Sequence, residues 1–167
     1  YIVKSGNDII VEQIEDATEG IWYTSVESTN QLAITDPYEF DVDGQSTLMM
    51  TTSLPIIVEN TLVGVTVTDF SLDFLNPIIE SNIPASAIQR VATPSGLILT
   101  DSGNIDNINS SLEKFVPDWN AVHTTLQQGE NTDFYADSVT FGEQAYAAFI
   151  PIKIQDLNEH FIVQTFM

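Results

Sequence analysis

A chain of 167 residues is long enough for one ordinary hydrophobic core or for two small ones sharing an interface. Its 43% hydrophobic and 10% aromatic content is that of a globular protein, so its acidity is not that of a disordered tail. Four Lys and Arg against 24 Asp and Glu leave a formal charge of −20, which repels phosphate backbones and anionic headgroups and excludes nucleic-acid binding; the absence of Cys excludes disulfides, thiol catalysis and thiolate metal sites.

Tyr1–Lys4 and Asp8–Val11 read as two short strands around the turn residues Ser5-Gly6-Asn7. Glu12–Gln31 suits a helix: Ile14, Ala17, Ile21 and Ser25 follow its spacing, although Gly20 weakens the middle. From Asp36 the texture changes. Thr47–Ile57 and Leu62–Phe70, rich in Thr, Val, Ile and Met and separated by Glu59-Asn60-Thr61, predict an antiparallel hairpin. Leu72, Leu75, Ile78 and Ile79 have helical spacing within Leu72–Ser81, and Pro84 ends that helix, which can link two units.

The pattern of strand, turn and strand then repeats. Ala87–Thr93, the turn Pro94-Ser95-Gly96 and Leu97–Thr100 lead into a turn-rich loop, Asp101–Asn109. Ser110–Phe115 and Trp119–Gln128 read as short helices. Asn131–Val139, Gln144–Ile154 and Glu159–Met167 read as strands joined by turns at Phe141-Gly142-Glu143 and Gln155–Asn158. A helix followed by an antiparallel meander in each half predicts an α+β fold, divided here into residues 1–80 and 81–167. The longest apolar runs, such as Leu54–Val58 and Ala145–Ile152, fall far short of the roughly 20 residues that span a bilayer. With neither an initiating Met nor a signal peptide, and with a core-like strand at its end, the sequence is expected to be an excised piece of a longer protein.

Period-2 geometry in Leu62–Phe70 puts Asp69 on the same face as Val63, Val65 and Val67, so its carboxylate is expected to point inward. Such a group is satisfied by backbone N–H groups at a strand end or is reserved for a ligand's ammonium. Trp22 and Tyr23, with Tyr38 in the following loop, either staple a helix to a sheet or form an aromatic box around a cation or small organic solute. Thr51 and Ser53 share one strand face and offer hydroxyls, while Asp36 offers a second carboxylate or serves as a turn or cap residue.

The succession Asp36-Pro37-Tyr38, Asp43-Gly44, Thr51-Thr52-Ser53-Leu54-Pro55-Ile56 and Gly64-Val65-Thr66-Val67-Thr68-Asp69-Phe70-Ser71-Leu72, preceded by Trp22-Tyr23, resembles the membrane-distal PAS-like module of double Cache receptors. Pro94-Ser95-Gly96-Leu97-Ile98 and the closing Ile150-Pro151-Ile152 resemble the smaller membrane-proximal module. The resemblance covers nearly the whole chain except the family's long N-terminal helix. It implies two Cache modules in the extracytoplasmic (periplasmic) part of a homodimeric receptor with flanking transmembrane helices, coupled to a methyl-accepting chemotaxis, histidine kinase or cyclic-nucleotide output. It also implies a small-molecule ligand in the distal module, contacted by Trp22, Tyr23, Asp36, Tyr38, Thr51, Ser53 and Asp69. The amino-acid-binding branch has an Arg two residues before the aromatic pair and a Tyr seven before the Trp; here these positions are Gly20 and Glu15. The ammonium side, Tyr38 and Asp69, is retained without the carboxylate clamp, which favours an amine or other cation over an ordinary α-amino acid, or else a neutral or unrelated ligand in a diverged pocket. The rival reading is a ligand-free or protein-binding spacer module.

No enzymatic activity, cofactor or metal is expected. The sequence contains no nucleophile elbow, P-loop or dinucleotide fingerprint, and His123 and His160 lack zinc-site spacing and are expected at the surface or an interface. Asp41-Val42-Asp43-Gly44 and Asp101–Asp106 superficially resemble calcium loops but lack the full ligand spacing and closing Glu, and are read as turns.

Overall fold

β-branched and aromatic segments pair antiparallel throughout this α+β chain, and three short helices complete it among the described residues. The computed structural model describes residues 2–5, 8–11, 17–42, 44–84, 86–137, 144–154, 157 and 159–167. The chain divides into two compact units, Tyr1–Thr35 with Thr52–Thr68 and Asp36–Thr51 with Asp69–Met167.

In the first unit, β1 (Ile2–Ser5) and β2 (Asp8–Val11) pair antiparallel, Ile2 opposite Val11. The helix expected over Glu12–Gln31 is shorter. A 3-10 turn at Ala17–Glu19 precedes α1 (Ile21–Thr29), and Gly20 between them is the extended N-cap residue, with φ −67° and ψ 139°. Ile14 and Glu15 lie outside the described residues. Starting the helix after Gly20 shifts its inward face: Ile21 is 58% exposed, whereas Val26 is fully buried. Asn30 closes α1 in the left-handed region, its N–H donating to the Val26 carbonyl.

β3 (Ala33–Ile34) and β4 (Tyr38–Val42) pair with successive parts of the long strand β5 (Gln45–Val58), and β6 (Thr61–Ser71) also pairs with β5. Both Glu59 and Asn60 have positive φ, 49° and 62°, the turn geometry whose twist matches that of an antiparallel hairpin. Along β5, Thr51 and Ser53 both project to the buried face, as the two-residue period requires. In β6, Val65, Val67 and Asp69 are half-buried between exposed Thr66 and Thr68, but Val63 departs from the expected inward set and is 59% exposed.

The second unit contains the larger core. Ser71 accepts from the Asp73 N–H to cap a 3-10 turn at Leu72–Phe74, which leads into α2 (Leu75–Glu80). Five antiparallel strands follow: β7 (Ile88–Ala92), β8 (Ile98–Asp101), β9 (Thr132–Asp137), β10 (Gln144–Lys153) and β11 (His160–Phe166), in the order β8-β7-β11-β10-β9. α3 (Trp119–Gln127) presents Val122 and Leu126, one helical turn apart, to Ile98, Leu112, Phe149 and Ile162. Burying each of these large apolar side chains contributes about 2 kcal/mol. Gly96, at φ 91°, lets the β7–β8 turn run directly under Trp119, whose ring lies 2.5 Å from where a Cβ would stand. The expected turn at Phe141-Gly142-Glu143 lies outside the described residues, as does most of Gln155–Asn158.

Candidate functional site

Three of the residues singled out in the sequence meet in the second unit through one hydroxyl. Tyr38 begins β4, Thr51 lies on the buried face of β5, and Asp69 lies near the end of β6. Thr51 Oγ1 donates to Asp69 Oδ1 at 2.5 Å, and the Tyr38 hydroxyl lies 2.5 Å from the same Thr51 oxygen. A threonine has one hydroxyl proton, and an ionised carboxylate can only accept. With that proton directed to Asp69, Tyr38 must donate to Thr51, and the relay runs from phenol to threonine to carboxylate. Thr51 is fully buried, while Tyr38 and Asp69 are half-buried, so the charged end faces a partly accessible surface. Among the described residues Asp69 Oδ2 takes no hydrogen bond.

Asp36 takes a different position. Its exposed carboxylate accepts from Ser95 Oγ at 3.0 Å, and Ser95 in turn bonds Thr93 Oγ1 at 2.8 Å in the β7–β8 turn. Asp36 thereby ties the start of β4 to that turn.

Trp22, Tyr23 and Ser53 belong to the first unit. The two aromatic rings are edge-to-face, with centroids 6.1 Å apart and planes at 87°, and both are half-buried. The Trp22 indole folds back over its own helix N-cap: a Cβ on Gly20 would stand 2.4 Å from Nε1. The missing Cβ of Gly20 is what admits this rotamer. Ser53, opposite Ala33 across the β3–β5 pair, is fully buried, and its Oγ has no hydrogen-bond partner among the described residues. An unmet buried hydroxyl costs about 1–3 kcal/mol and marks a position where an incoming polar group is favoured.

The acidic turns have internal duties. Asp41 Oδ1 accepts from the Gly44 N–H at 2.8 Å, and Asp43 lies outside the described residues. Asp101 Oδ1 accepts from the N–H groups of Gly103 and Asn104, while Oδ2 accepts from Asn107 Nδ2 and Arg90 Nε. His123 and His160, expected at the surface or an interface, are half-buried together beside Gln127. His123 Nε2 donates to the Pro94 carbonyl at 2.7 Å, and the ring stacks on Trp119 with centroids 4.9 Å apart. Gln127 exchanges hydrogen bonds with the backbone of His160. Packing of α3 across the β7–β8 turn and β11 covers both imidazoles.

Sequence reasoning missed a fully buried charged group in the five-stranded sheet, Arg90. Arg90 alternates with Ile88 and Ala92 along β7 and therefore points into the core, a parity signal readable in the sequence. Its guanidinium lies 4.4 Å from the Phe115 ring centroid and 4.9 Å from that of Phe166.

Residues 1–77 match the family model described as methyl-accepting chemotaxis protein-like, first PDC sensor domain. The chain has the PDC, or Cache, sensor fold. Solved structures with this fold include the extracellular domain of mmHK1S-Z3, a protein assigned as a histidine kinase, with a TM-score of 0.80 at 17% identity over 97% of this chain and 58% of that one. The periplasmic sensory domain of the Campylobacter jejuni chemoreceptor Tlp1 superposes with a TM-score of 0.71 at 16% identity, covering 89% of this chain and 55% of that one. The ligand-binding domain of the Pseudomonas aeruginosa amino acid chemoreceptor PctC, in complex with GABA, gives 0.68 at 17% identity, with 100% and 72% covered. The chain thus spans less than two thirds of the first two of these structures. No curated protein sequence matches it. No helix among its described residues is long and apolar enough to cross a membrane.

Proposed function

We propose that this chain is an extracytoplasmic ligand-sensing domain of a transmembrane receptor, a methyl-accepting chemotaxis protein, and that the solute carries an amine. The observation that carries this reading is the Tyr38–Thr51–Asp69 relay, which holds a half-buried carboxylate with one oxygen open at the end of an apolar strand face. An ammonium group donates up to three hydrogen bonds and supplies the opposite charge that such a carboxylate lacks. The chain's net charge of −20 adds a long-range attraction for cations.

Within their own unit, Trp22 and Tyr23 present an aromatic edge and Ser53 a buried hydroxyl that is unmatched among the described residues. Gly20 supplies no guanidinium for a ligand carboxylate, which turns the preference toward amines rather than ordinary α-amino acids. Binding to one conformation of a homodimeric receptor more tightly than to the other would shift its signalling equilibrium by that difference in affinity.

The test is a thermal-shift and calorimetric titration with primary amines, GABA and glutamine. Saturable stabilisation that grows with ligand concentration and disappears in Asp69→Asn supports the reading. Absence of any shift across such a panel, in a folded protein, favours a ligand-free or protein-binding module instead.

A further inference from the structure

β9 is the outermost strand of the five-stranded sheet in the second unit, with β10 on one side and no strand on the other among the described residues. The register fixes which of its backbone groups face outward. Tyr135 stands opposite Tyr146, and Tyr146 exchanges both of its backbone hydrogen bonds with Met167, each at 3.0 Å. Opposed residues of an antiparallel pair exchange both bonds or neither, so the N–H and C=O of Tyr135 point away from β10. The same alternation turns outward those of Asp133 and Asp137.

A groove of about 560 Å³ runs along this edge, between β9 and the start of α3. Phe134, Tyr135, Ala136 and Asp137 all line it, and successive residues of a strand point to opposite faces. The groove therefore lies beside the strand rather than over one face of the sheet. Ala121 and Val122 give its far wall an apolar surface, and Asp118 adds a carboxylate there. Asp118, Asp133 and Asp137 are exposed, and no Lys or Arg is among the described lining residues. β9 has neither a Pro nor a bulge to block an added strand, so its aspartates guard the edge against an acidic strand but not against a basic one.

We infer that the free edge of β9 is a docking site for an extended basic peptide, which continues the antiparallel sheet as a further strand. Main-chain hydrogen bonds to Asp133, Tyr135 and Asp137 hold it, and its side chains alternate in role. Those opposite these three residues are Lys or Arg, on the same face as the two carboxylates and the Tyr135 ring, which is 69% exposed. Those between are small and apolar and enter the groove toward Phe134 and Val122. A second copy of the chain is disfavoured by its own charge. Antiparallel pairing about Tyr135 would set Asp133 of each copy against Asp137 of the other, on chains that each carry −20.

The experiment titrates the whole chain with the end-blocked peptide Thr-Lys-Val-Lys-Val-Lys-Thr by calorimetry and follows backbone amide hydrogen exchange by NMR. Saturable binding with slowed exchange of the Tyr135 and Asp137 N–H groups is expected. The same peptide N-methylated at its central Lys keeps its charge but loses one edge hydrogen bond, and should bind about tenfold more weakly. Glu in place of each Lys should abolish binding. Tyr135→Pro removes an outward N–H at an edge position where Pro is tolerated and should likewise weaken binding of the unmodified peptide. If that variant does not fold, Asp137→Lys, at an exposed position, should also lower the affinity and serves in its place. Absence of saturable binding would overturn the inference. So would equal affinity for the N-methylated peptide or unchanged exchange at Tyr135, either of which would show attachment by charge alone. A self-associated chain that Tyr135→Pro dissociates would overturn it too, by giving the edge to a second copy.

Discussion

Arg90 and Asp101 face each other at 2.6 Å with neither side chain exposed, between two phenylalanine rings and beside Gln164. Their register, Arg90 opposite Asp101 across β7 and β8, makes the ion pair a cross-strand contact of the second unit.

Breaking that pair from one side strands a buried charge. Asp101→Asn is therefore expected to lower stability by about 3–5 kcal/mol, measured by urea unfolding, because Arg90 is left uncompensated and the new amide nitrogen faces the Arg90 Nε and Asn107 Nδ2 donors that Oδ2 accepts from. Replacing the partners together, Arg90→Met with Asp101→Asn, should cost less than the sum of the single changes. Additive losses would show that the two side chains are not coupled.

The relay at Thr51 predicts a different asymmetry. Thr51→Val removes the hydroxyl that joins Tyr38 to Asp69 and should cost about 1–3 kcal/mol, since both flanking polar groups lose their shared partner. Adding Tyr38→Phe should recover part of that loss. Asp69→Asn keeps an acceptor for Thr51 and is expected to change stability by less than about 1 kcal/mol while removing amine binding in calorimetry.

Gly20→Ala tests the position of the Trp22 indole. The backbone at residue 20 suits any L-residue, so the cost comes from the 2.4 Å approach of the new Cβ to Nε1. The indole should swing away and its fluorescence emission should shift. In a Trp22→Phe background, where that nitrogen is gone, the same substitution should leave thermal stability nearly unchanged; an equal loss in both backgrounds would place the cost in the backbone.

Tyr146 carries the clearest titration signature. Its hydroxyl hydrogen-bonds Asp133, whose acceptor and negative charge, together with desolvation, hold the phenol above its ordinary value. A raised folded-state pKa means that the unfolded chain loses the proton first. This contribution to stability is therefore fully present below about pH 10 and is lost as pH rises through the folded pKa. Ultraviolet titration should show one tyrosine ionising late, and Asp133→Asn should bring it back toward the others.

Local signals resolved much of the scaffold. The β-branched runs and the Glu59-Asn60 turn marked the β5–β6 hairpin, and strand parity placed Thr51 and Ser53 on one buried face and Asp69 beside Val65 and Val67. These are properties of neighbouring residues, and a two-residue period expresses them directly. Val63 escaped the same parity because burial at the far end of a strand depends on what packs there. The length of α1 was misjudged because a helical stripe can be counted through Gly20, whereas the backbone chose to start the helix after it.

Composition and period thus determined the fold class, the strands and the faces on which the polar residues lie. Tertiary structure alone decided the partners: that Thr51 would bridge residues 13 and 18 positions away, that Asp36 would serve the Ser95 turn, and that Arg90 would meet Asp101 while leaving the Gln164 NH2 unmatched. The physical reason is range. Side-chain direction follows from the local backbone, but a buried polar group is satisfied by whichever distant strand the register brings opposite it.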